Sequence, residues 1–440
     1  MVAVKHVVLA ASIVHARGIF GARFSPALRS DRLLGCALAG ACSLEDPIRN
    51  SPSIHVLTSA VITAALLGCA GSTPPAGPES PADARPASLA IPSAPPVEPL
   101  ARRRVAVGLN NPRGIEVLDG GQLLVSVAGT GDEQGPGTGQ LLRLRDANAD
   151  GDFDDADERA VLLDAQPSRN IFHVVRRDEV FGMAGIARGG DVVLVSLAFF
   201  GGPSTIFRVE GDEVTQWGST QGNINDLAYD PTGERWVGVA STTDEVVELL
   251  EGGLSRRITK FRTRGSGQDA VPGYLRHDPV TDRLAVSLFT GSPEGEEGGD
   301  GTELVMGAGA IVVLSPQGAE DRNLVSGLSV PTDFEIASDG SIYVLEFCDA
   351  FLDPVTKRQD MLEGSMHGGF KRYSGRLLRV ERPGGRVTVV AEGLDTPTNL
   401  AIGDGALFVA QGMGTPGRMI PTPGGDAPLD GFIERFDLPK

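Results

Sequence analysis

One eight-residue frame occurs three times in this chain, and a recurring unit limits the possible folds more than any other feature. The frame reads Gly-Leu-x-x-Pro-x-x-apolar and lies at residues 108–115, 327–334 and 393–400. Each copy is followed by a Gly-containing turn and a short apolar run, at 119–125, 339–344 and 404–409. A further apolar run then follows at 139–144, 375–380 and 431–436. Such self-similarity is typical of architectures whose units bury their apolar faces only against neighbouring units.

The middle of the chain carries degenerate copies of the same unit, which begin near residues 183, 224 and 272. The chain therefore holds six units of about 40 to 65 residues, the length expected for propeller blades. Short runs rich in Val, Ile and Leu fit strands, and Asp-Gly and Thr-Gly pairs fit the turns between them. With 58 glycines in 440 residues the composition is that of a turn-rich chain. We predict an all-β fold, a six-bladed β-propeller.

The two ends of the repeat region predict how the ring closes. Residues 432–436 match the third strand of a blade and leave that blade without a fourth. Residues 103–107 have the right length to supply it, which would leave no exposed edge at the seam. The alternative is a ragged N-terminal arm.

Residues 1–69 differ from the repeats and are predicted to be an export region. The apolar run 54–69 is too short for a confident membrane-spanning helix and is typical of a signal sequence. It ends in Leu66-Leu67-Gly68-Cys69, which is similar to the bacterial lipobox, in which the cysteine becomes lipidated. We therefore expect lipidation at Cys69. The alternative is a buried hydrophobic segment that happens to end in Gly-Cys.

Residues 70–102 are rich in Pro and Ala, and we expect a disordered linker there because they cannot bury enough apolar surface. The propeller is expected to occupy residues 103–440. Residues 1–50 do not fit this layout, and one alternative is that translation starts downstream of them. The expected product is an exported, membrane-anchored lipoprotein in the bacterial periplasm or on the cell surface.

The net charge of −18 bears on the partners of the folded part. Strongly acidic proteins repel nucleic acid and anionic membranes. We therefore expect no nucleic-acid partner, membrane contact through the lipid anchor only, and a monomer.

The sharpest chemical motif is an acidic loop at residues 146–157. Oxygen-bearing side chains alternate along it, a glycine stands at the sixth position, and an apolar residue stands at the eighth. This spacing is typical of an EF-hand-type calcium loop, although no helices are predicted to flank it. We predict a structural Ca²⁺ site; the alternative is an acidic, solvated hairpin tip. The predicted ligands are Asp146, Asn148, Asp150, Asp152, Asp154 and Asp157, with Glu158 adjacent.

A second set of polar residues begins the innermost strand of each blade. In a propeller these positions surround the mouth of the central channel, where a small-molecule or protein ligand, or a second cation, could bind. The alternative is that the Asp and Asn side chains only stabilise the turns before each strand. The residues are Arg113, Asn225, Asp226, Tyr274, Asp333 and Asn399.

The frame at 108–115 and the run at 129–144 resemble NHL-type six-bladed propellers. More narrowly, they resemble the secreted propeller family found in scytonemin gene clusters. The acidic loop after Leu-Arg-Leu is also similar to that of quinoprotein sugar and sorbosone dehydrogenases. That resemblance implies pyrroloquinoline quinone as a cofactor, bound with calcium over the channel, and a histidine base. Where those enzymes have Pro-His-Gly, this chain has Pro112-Arg113-Gly114.

Two classes of function follow from these features, and we favour the first, a ligand- or protein-binding module stabilised by calcium. The second is a channel-mouth enzyme, either a quinone-dependent sugar or aldehyde dehydrogenase or a metal-dependent hydrolase of the lactonase type. The enzyme predicts that Asp226, Asp333 and Asn399 converge with His277 or His367, whereas the binding module predicts a broad rim. His173 lies in an apolar run, where a structural histidine is expected.

Overall fold

The structure is a computed structural model of the chain. It describes residues 89–90, 98–131, 135–170, 180–199, 202–264, 269–290, 306–349, 372–382, 385–414, 417, 419–420, 425 and 427–439. These residues form six antiparallel four-stranded sheets arranged as a β-propeller, which confirms the predicted fold class. Among them, no helix is long and apolar enough to cross a membrane.

The first three blades follow one another along the chain, each built from consecutive strands from the innermost outwards. Blade 1 consists of Pro112–Val117, Leu123–Val127, Gly139–Leu144 and Arg159–Gln166. Blade 2 consists of Met183–Gly189, Val192–Leu197, Ser204–Glu210 and Glu213–Thr220. Blade 3 consists of Ile224–Asp230, Arg235–Ala240, Glu245–Leu250 and Leu254–Lys260.

Blades 4 and 5 are built in the same way. Blade 4 consists of Pro272–Asp278, Arg283–Leu288, Gly309–Leu314 and Glu320–Leu328, and blade 5 consists of Pro331–Ile336, Ile342–Glu346, Gly375–Val380 and Val387–Leu394.

The last blade contains both ends of the repeat region. Blade 6 consists of Asn399–Gly403, Ala406–Gln411, Gly431–Asp437 and, as its outer strand, Arg102–Leu109. The N-terminal strand therefore closes the ring, as predicted, through pairs such as Arg103 with Arg435.

Part of the Pro- and Ala-rich segment is attached to the ring. Leu89–Ala90 pairs in parallel with Val325 and Ser326 on the outer strand of blade 4. The backbone amides of Glu98 and Leu100 donate to the outer strand of blade 5, at 2.8 and 3.0 Å. The outer strands of blades 4 and 5 have edges that no other blade strand pairs with, and these short segments form hydrogen bonds with those edges.

The hydrophobic core is divided among the interfaces between blades. Six clusters of buried residues each join one blade to the next around the ring. Between blades 6 and 1, for example, Val105, Leu123 and Phe408 are buried together. Each blade therefore depends on its neighbours for burial, which is the physical reason that the sequence repeats.

The innermost strands surround the axial channel. Residues two apart on a strand share a face, so each strand contributes to two successive levels of the channel. We call the end where these strands begin the mouth and the other end the base. The upper level comprises Gly114, Gly185, Asp226, Tyr274, Asp333 and Asn399. The lower level comprises Glu116, Ala187, Ala228, Arg276, Glu335 and Ala401.

Candidate functional site in the axial channel

Three polar side chains of the upper level join adjacent blades. Asp226 accepts a hydrogen bond from the amide of Leu275 in blade 4 (3.1 Å), and Asp333 accepts one from Leu400 in blade 6 (2.8 Å). Asn399 accepts one from the amide of Ile115 in blade 1 (2.7 Å) and donates to Asp333 (2.7 Å). These side chains thus bind the innermost strand of the next blade, a role that neither of the two sequence-based interpretations included.

In blades 1 and 2 the upper level holds glycine instead. A Cβ on Gly114 would lie 2.6 Å from the carbonyl oxygen of Ala184, and one on Gly185 would lie 2.5 Å from the Cα of Asp226. Such distances are far below van der Waals contact, so the close approach of blades 1, 2 and 3 requires that these positions have no side chain.

Arg276 is the centre of the charged network in the channel. Its guanidinium donates to Asp226 in blade 3 (2.7 Å) and to both carboxylate oxygens of Asp333 in blade 5 (2.9 Å each). It also donates to Glu335 (2.7 Å) and to the carbonyl oxygen of Leu275 (2.8 Å). One cation therefore holds three carboxylates from two blades.

Burial governs the protonation of this network. Burial raises the pKa of the Asp226, Asp333 and Glu335 carboxyls, and the positive charge of Arg276 opposes that rise. The neighbouring Asp226 and Glu335 charges raise the pKa of Asp333 further, so that it lies well above its usual range. Asp226 Oδ1 is buried without a hydrogen-bond partner, which further disfavours a charge on that carboxyl.

A cavity of about 210 Å³ lies at the lower level of the channel. The cavity forms because three of the six lower-level positions are alanine, whose short side chains leave space. The other three positions carry the long side chains of Glu116, Arg276 and Glu335. The wall further includes apolar residues and the side chains of Arg188, Tyr229 and His277. The cavity thus presents mainly polar and charged groups, which can fix the orientation of a small polar ligand.

Glu116 is the distinctive group of this cavity. Its carboxyl has no hydrogen-bond partner among the described residues, in contrast to Glu335. Burial, and then the negative charge of Glu335, raises the pKa of Glu116 to about 7, although Arg276 and Arg188 oppose the shift. Glu116 can therefore take up or release a proton near neutral pH, whereas an exposed glutamate cannot.

The remaining predicted mouth residues form no hydrogen bond with the carboxylates of the charged network among the described residues. Arg113 donates to Met413 Sδ (3.0 Å) and to the carbonyl oxygen of Val180 (3.1 Å), and it has no carboxylate partner among the described residues. Asn225 donates to Ser241 Oγ. Tyr274 is buried, which raises the pKa of its hydroxyl.

Among the described residues, no histidine joins the polar groups at the mouth. His277 belongs to the base, where Nε2 lies 3.1 Å from Asp282 Oδ1, and His173 and His367 lie outside the described residues. Arg113 stands at the position where the resemblance to quinoprotein dehydrogenases implies a histidine. The described part of the mouth therefore holds no histidine base of the kind that this resemblance implies.

The acidic loop lies between the third and outer strands of blade 1. Phe153 is buried in the cluster between blades 6 and 1, and its amide donates to the carbonyl oxygen of Val105 (2.7 Å). Gly151 has φ +96°, and a Cβ there would lie 2.5 Å from the guanidinium of Arg103. The loop is thus anchored on the core, and its sharp turn requires glycine.

Three carboxylates of this loop converge. Oxygens of Asp146, Asp150 and Glu158 lie within 4.8 Å of one another, and Asp146 Oδ1 is buried without a hydrogen-bond partner. Glu158 is buried, whereas Asp157 is exposed. Oxygen ligands from several carboxylates, with one oxygen left unpartnered, fit a hard cation such as Ca²⁺.

The other predicted loop ligands are engaged within the protein. Asp154 accepts hydrogen bonds from the amide of Val107 (2.9 Å) and from Arg159. The side-chain oxygens of Asn148 and Asp152 accept the amides of Asp150 (2.8 Å) and Asp154 (3.0 Å), respectively. Asp150 and Glu158 accept loop amides as well, so the convergence of Asp146, Asp150 and Glu158 is the observation that favours them as ligands.

Arg276, Glu116 and Glu335 were not among the site residues predicted from the sequence. A signal for them exists, because each lies on the innermost strand two residues after an upper-level position and so shares its face. The contact between them depends on which blades are neighbours across the channel, which the repeat alone does not specify.

No protein-family model matches the chain, and no curated protein matches it in sequence. A protein of unknown function from Bacteroides thetaiotaomicron is 12% identical with a TM-score of 0.47, over 77% of this chain and 72% of that chain. A putative glucose dehydrogenase from Thermus thermophilus is 15% identical with a TM-score of 0.43, over 76% and 99%. A pyrroloquinoline-quinone-bound aldose sugar dehydrogenase from Streptomyces coelicolor is 17% identical with a TM-score of 0.34, over 77% and 100%. At these identities the likeness is one of fold alone.

Proposed function

We propose that this protein is an exported ligand-binding propeller that holds a small molecule in its axial channel. The observation that carries the proposal is the cavity of about 210 Å³, lined by Arg276, Glu335 and the unpartnered carboxyl of Glu116. A charged group that faces a cavity without a partner is costly unless water or a ligand satisfies it. The cavity is smaller than the roughly 300–1,000 Å³ of sites for drug-sized ligands, so the ligand is small.

A variant that fills the cavity tests this proposal. Ala228→Leu adds three carbon atoms to the cavity wall, whereas Val161→Leu enlarges an exposed side chain on the outer strand of blade 1 by one carbon atom. Thermal unfolding of the full chain is measured with a panel of small amines, carboxylates and sugars. A ligand of the folded state raises the midpoint by mass action. We expect at least one compound to stabilise the wild type and Val161→Leu but not Ala228→Leu; if no compound separates the variants in this way, the axial site is refuted.

We further propose that the acidic loop binds Ca²⁺ through Asp146, Asp150 and Glu158 and that the ion has a structural role. The support is the convergence of these carboxylates on a loop anchored by Phe153. A bound ion would relieve the mutual repulsion of the carboxylates and would tie the outer strand of blade 1 to the core.

A second candidate function is catalysis, and the pKa of about 7 at Glu116 favours it. A general acid or base is most effective when its pKa lies near the working pH. Hydrolysis of a sugar lactone and oxidation of an aldose with added pyrroloquinoline quinone are the two reactions to test. The enzyme predicts a turnover that Glu116→Gln abolishes; a turnover unchanged in that variant would exclude Glu116 as the base.

We propose that Cys69 anchors the protein to the membrane as a lipoprotein. The support is the apolar run that ends in Leu66-Leu67-Gly68-Cys69, which lies outside the described residues. Expression in a bacterial host with labelled palmitate should label the wild type but not Cys69→Ala. Equal labelling of the two chains would refute the anchor.

A further inference from the structure

Carboxyl groups outnumber the guanidinium groups that contact them in the axial channel. Four carboxylates lie close together at the two channel levels, those of Glu116, Asp226, Asp333 and Glu335. Arg276 is the guanidinium that holds three of them, and its donors are all directed to these carboxylates and to the carbonyl oxygen of Leu275.

Arg188 offsets this excess only in part, because it acts on Glu116 without pairing with it. It lines the cavity, but its guanidinium is paired with Asp119 (2.9 and 3.2 Å) and with the carbonyl oxygen of Gly190 (2.9 Å). The positive charge of Arg188 is therefore largely balanced by Asp119. Among the described residues, no cationic side chain forms an ion pair with Glu116.

We propose that the base of the channel binds a small organic cation, a primary ammonium or guanidinium group, with Glu116 as its counter-ion and Glu335 beside it. The inference rests on the proposed function, because it names the class of ligand that the axial cavity takes. A cation bound here would satisfy the free oxygens of Glu116 and would balance the negative charge of that carboxylate when it is ionised.

The geometry favours an organic cation over a metal ion. Among the described residues, three carboxylates whose oxygens converge within 4.8 Å occur only in the acidic loop. In the channel the guanidinium of Arg276 lies between the carboxylates and keeps them from converging. An ammonium group needs fewer oxygens than Ca²⁺ does, and two carboxylates with water can satisfy it.

One aromatic ring in the wall suits a cationic ligand. The side chains of Ile115, Ile186 and Leu227 pack in the clusters between blades, so the cavity itself is mainly polar. The ring of Tyr229 also lines it, held edge-on by Trp236 at a centroid distance of 5.1 Å. An aromatic ring beside a cation adds a favourable interaction with the ring face.

Three probes of equal length test the ligand class: n-butylammonium, 1-butanol and butyrate. Each is titrated calorimetrically into the full chain and into the Glu116→Gln and Glu251→Gln variants. Glu251 lies in an exposed turn of blade 3, far from the channel, and controls for the loss of one negative charge. Since the Glu116 carboxyl has no hydrogen-bond partner to lose, the Glu116→Gln variant is expected to fold, which urea unfolding checks.

We expect n-butylammonium to bind, 1-butanol to bind more weakly and butyrate not to bind. Glu116→Gln should weaken the ammonium by about tenfold or more, because a charge-assisted hydrogen bond is lost, and Glu251→Gln should not. The wild-type affinity should rise about tenfold between about pH 6 and about pH 8, since a carboxyl with a pKa of about 7 goes from about one-tenth to about nine-tenths ionised. Below pH 7, binding should also release a proton, measurable in buffers of different ionisation enthalpy.

The outcomes separate the two proposals. If 1-butanol or butyrate binds better than the ammonium, the cationic class is wrong while the cavity remains a binding site. If the ammonium binds equally well to Glu116→Gln and releases no proton, the cation site at Glu116 is wrong. If none of the three probes binds, the cationic ligand class is refuted, and the wider panel measured with Ala228→Leu decides whether the axial site itself is refuted.

Discussion

Replacement of Arg276 by methionine tests the network that joins blades 3, 4 and 5. Methionine retains much of the side-chain volume but removes the charge that holds Asp226, Asp333 and Glu335. Removal of one partner from a buried ion pair costs about 3–5 kcal/mol, because the remaining charge stays buried without compensation. The side chain of Arg276 is 14% exposed, and the Asp226 and Asp333 side chains are 0% exposed. We therefore expect a loss in the free energy of unfolding within that range at neutral pH.

The loss of stability caused by Arg276→Met should be greater at high pH than at low pH. Without the guanidinium, the pKa values of the three carboxyls rise further above their unfolded values, so the folded state binds more protons than the unfolded state. Stability contributed by an acid with a raised folded pKa is lost as pH rises. The variant should therefore lose more stability at pH 8 than at pH 5, since acidification protonates the buried carboxyls and removes the charge that Arg276 no longer compensates.

Equilibrium urea unfolding of the full chain at both pH values measures these differences. Arg208→Met is the matched control, because the pair that Arg208 forms with Glu210 is 35% and 56% exposed and should contribute about 0–1 kcal/mol. If Arg276→Met costs no more than Arg208→Met, or if its cost does not shrink on acidification, the account of the axial network is wrong.

Three further predictions concern the loop, the channel glycines and the carboxyl of the cavity. Calcium should raise the thermal midpoint of the wild type and of Asp157→Asn but not of Glu158→Gln, and an equal rise in all three would refute the assigned ligands. Gly114→Ala should cost about 1–3 kcal/mol in urea unfolding through overpacking against Ala184, whereas Gly202→Ala, whose Cβ would meet nothing closer than 3.6 Å, should cost little. Because the pKa of Glu116 is raised to about 7, its ionisation should reduce wild-type stability as pH rises from about 5 to 8. Glu116→Gln should show a smaller loss over that range, and identical pH profiles would contradict the raised pKa.

The blades and the closure of the ring were predictable from the sequence. Strand periods and Gly-containing turns are local features, and the frame at 108–115, 327–334 and 393–400 marks where successive innermost strands begin. The chain end at 432–436 lacked a fourth strand, and a single segment, 103–107, was of suitable length to complete it. Such features can be read from the sequence because each depends on residues close together in the chain or on a simple count of strands.

The ligands of the acidic loop could not all be predicted from the local sequence pattern. Its spacing identified the candidate cation site, but the spacing alone did not distinguish Asp157 from Glu158. Docking of Phe153 on the core and the bonds that Arg159 makes to Asp154 and to the carbonyl oxygen of Phe153 determine which carboxylates turn inwards. The ligand set therefore depends on packing against other strands.

The axial network depends on the closed ring. Arg276 lies 50 residues from Asp226 and 57 from Asp333, and Ile115 lies 284 residues from the Asn399 side chain that binds its amide. The sequence by itself determined that six similar blades would form and that polar groups would begin several of the innermost strands. The tertiary structure decided which of these groups meet, because ring closure brings distant strands side by side. Burial there then sets the charge of each carboxyl.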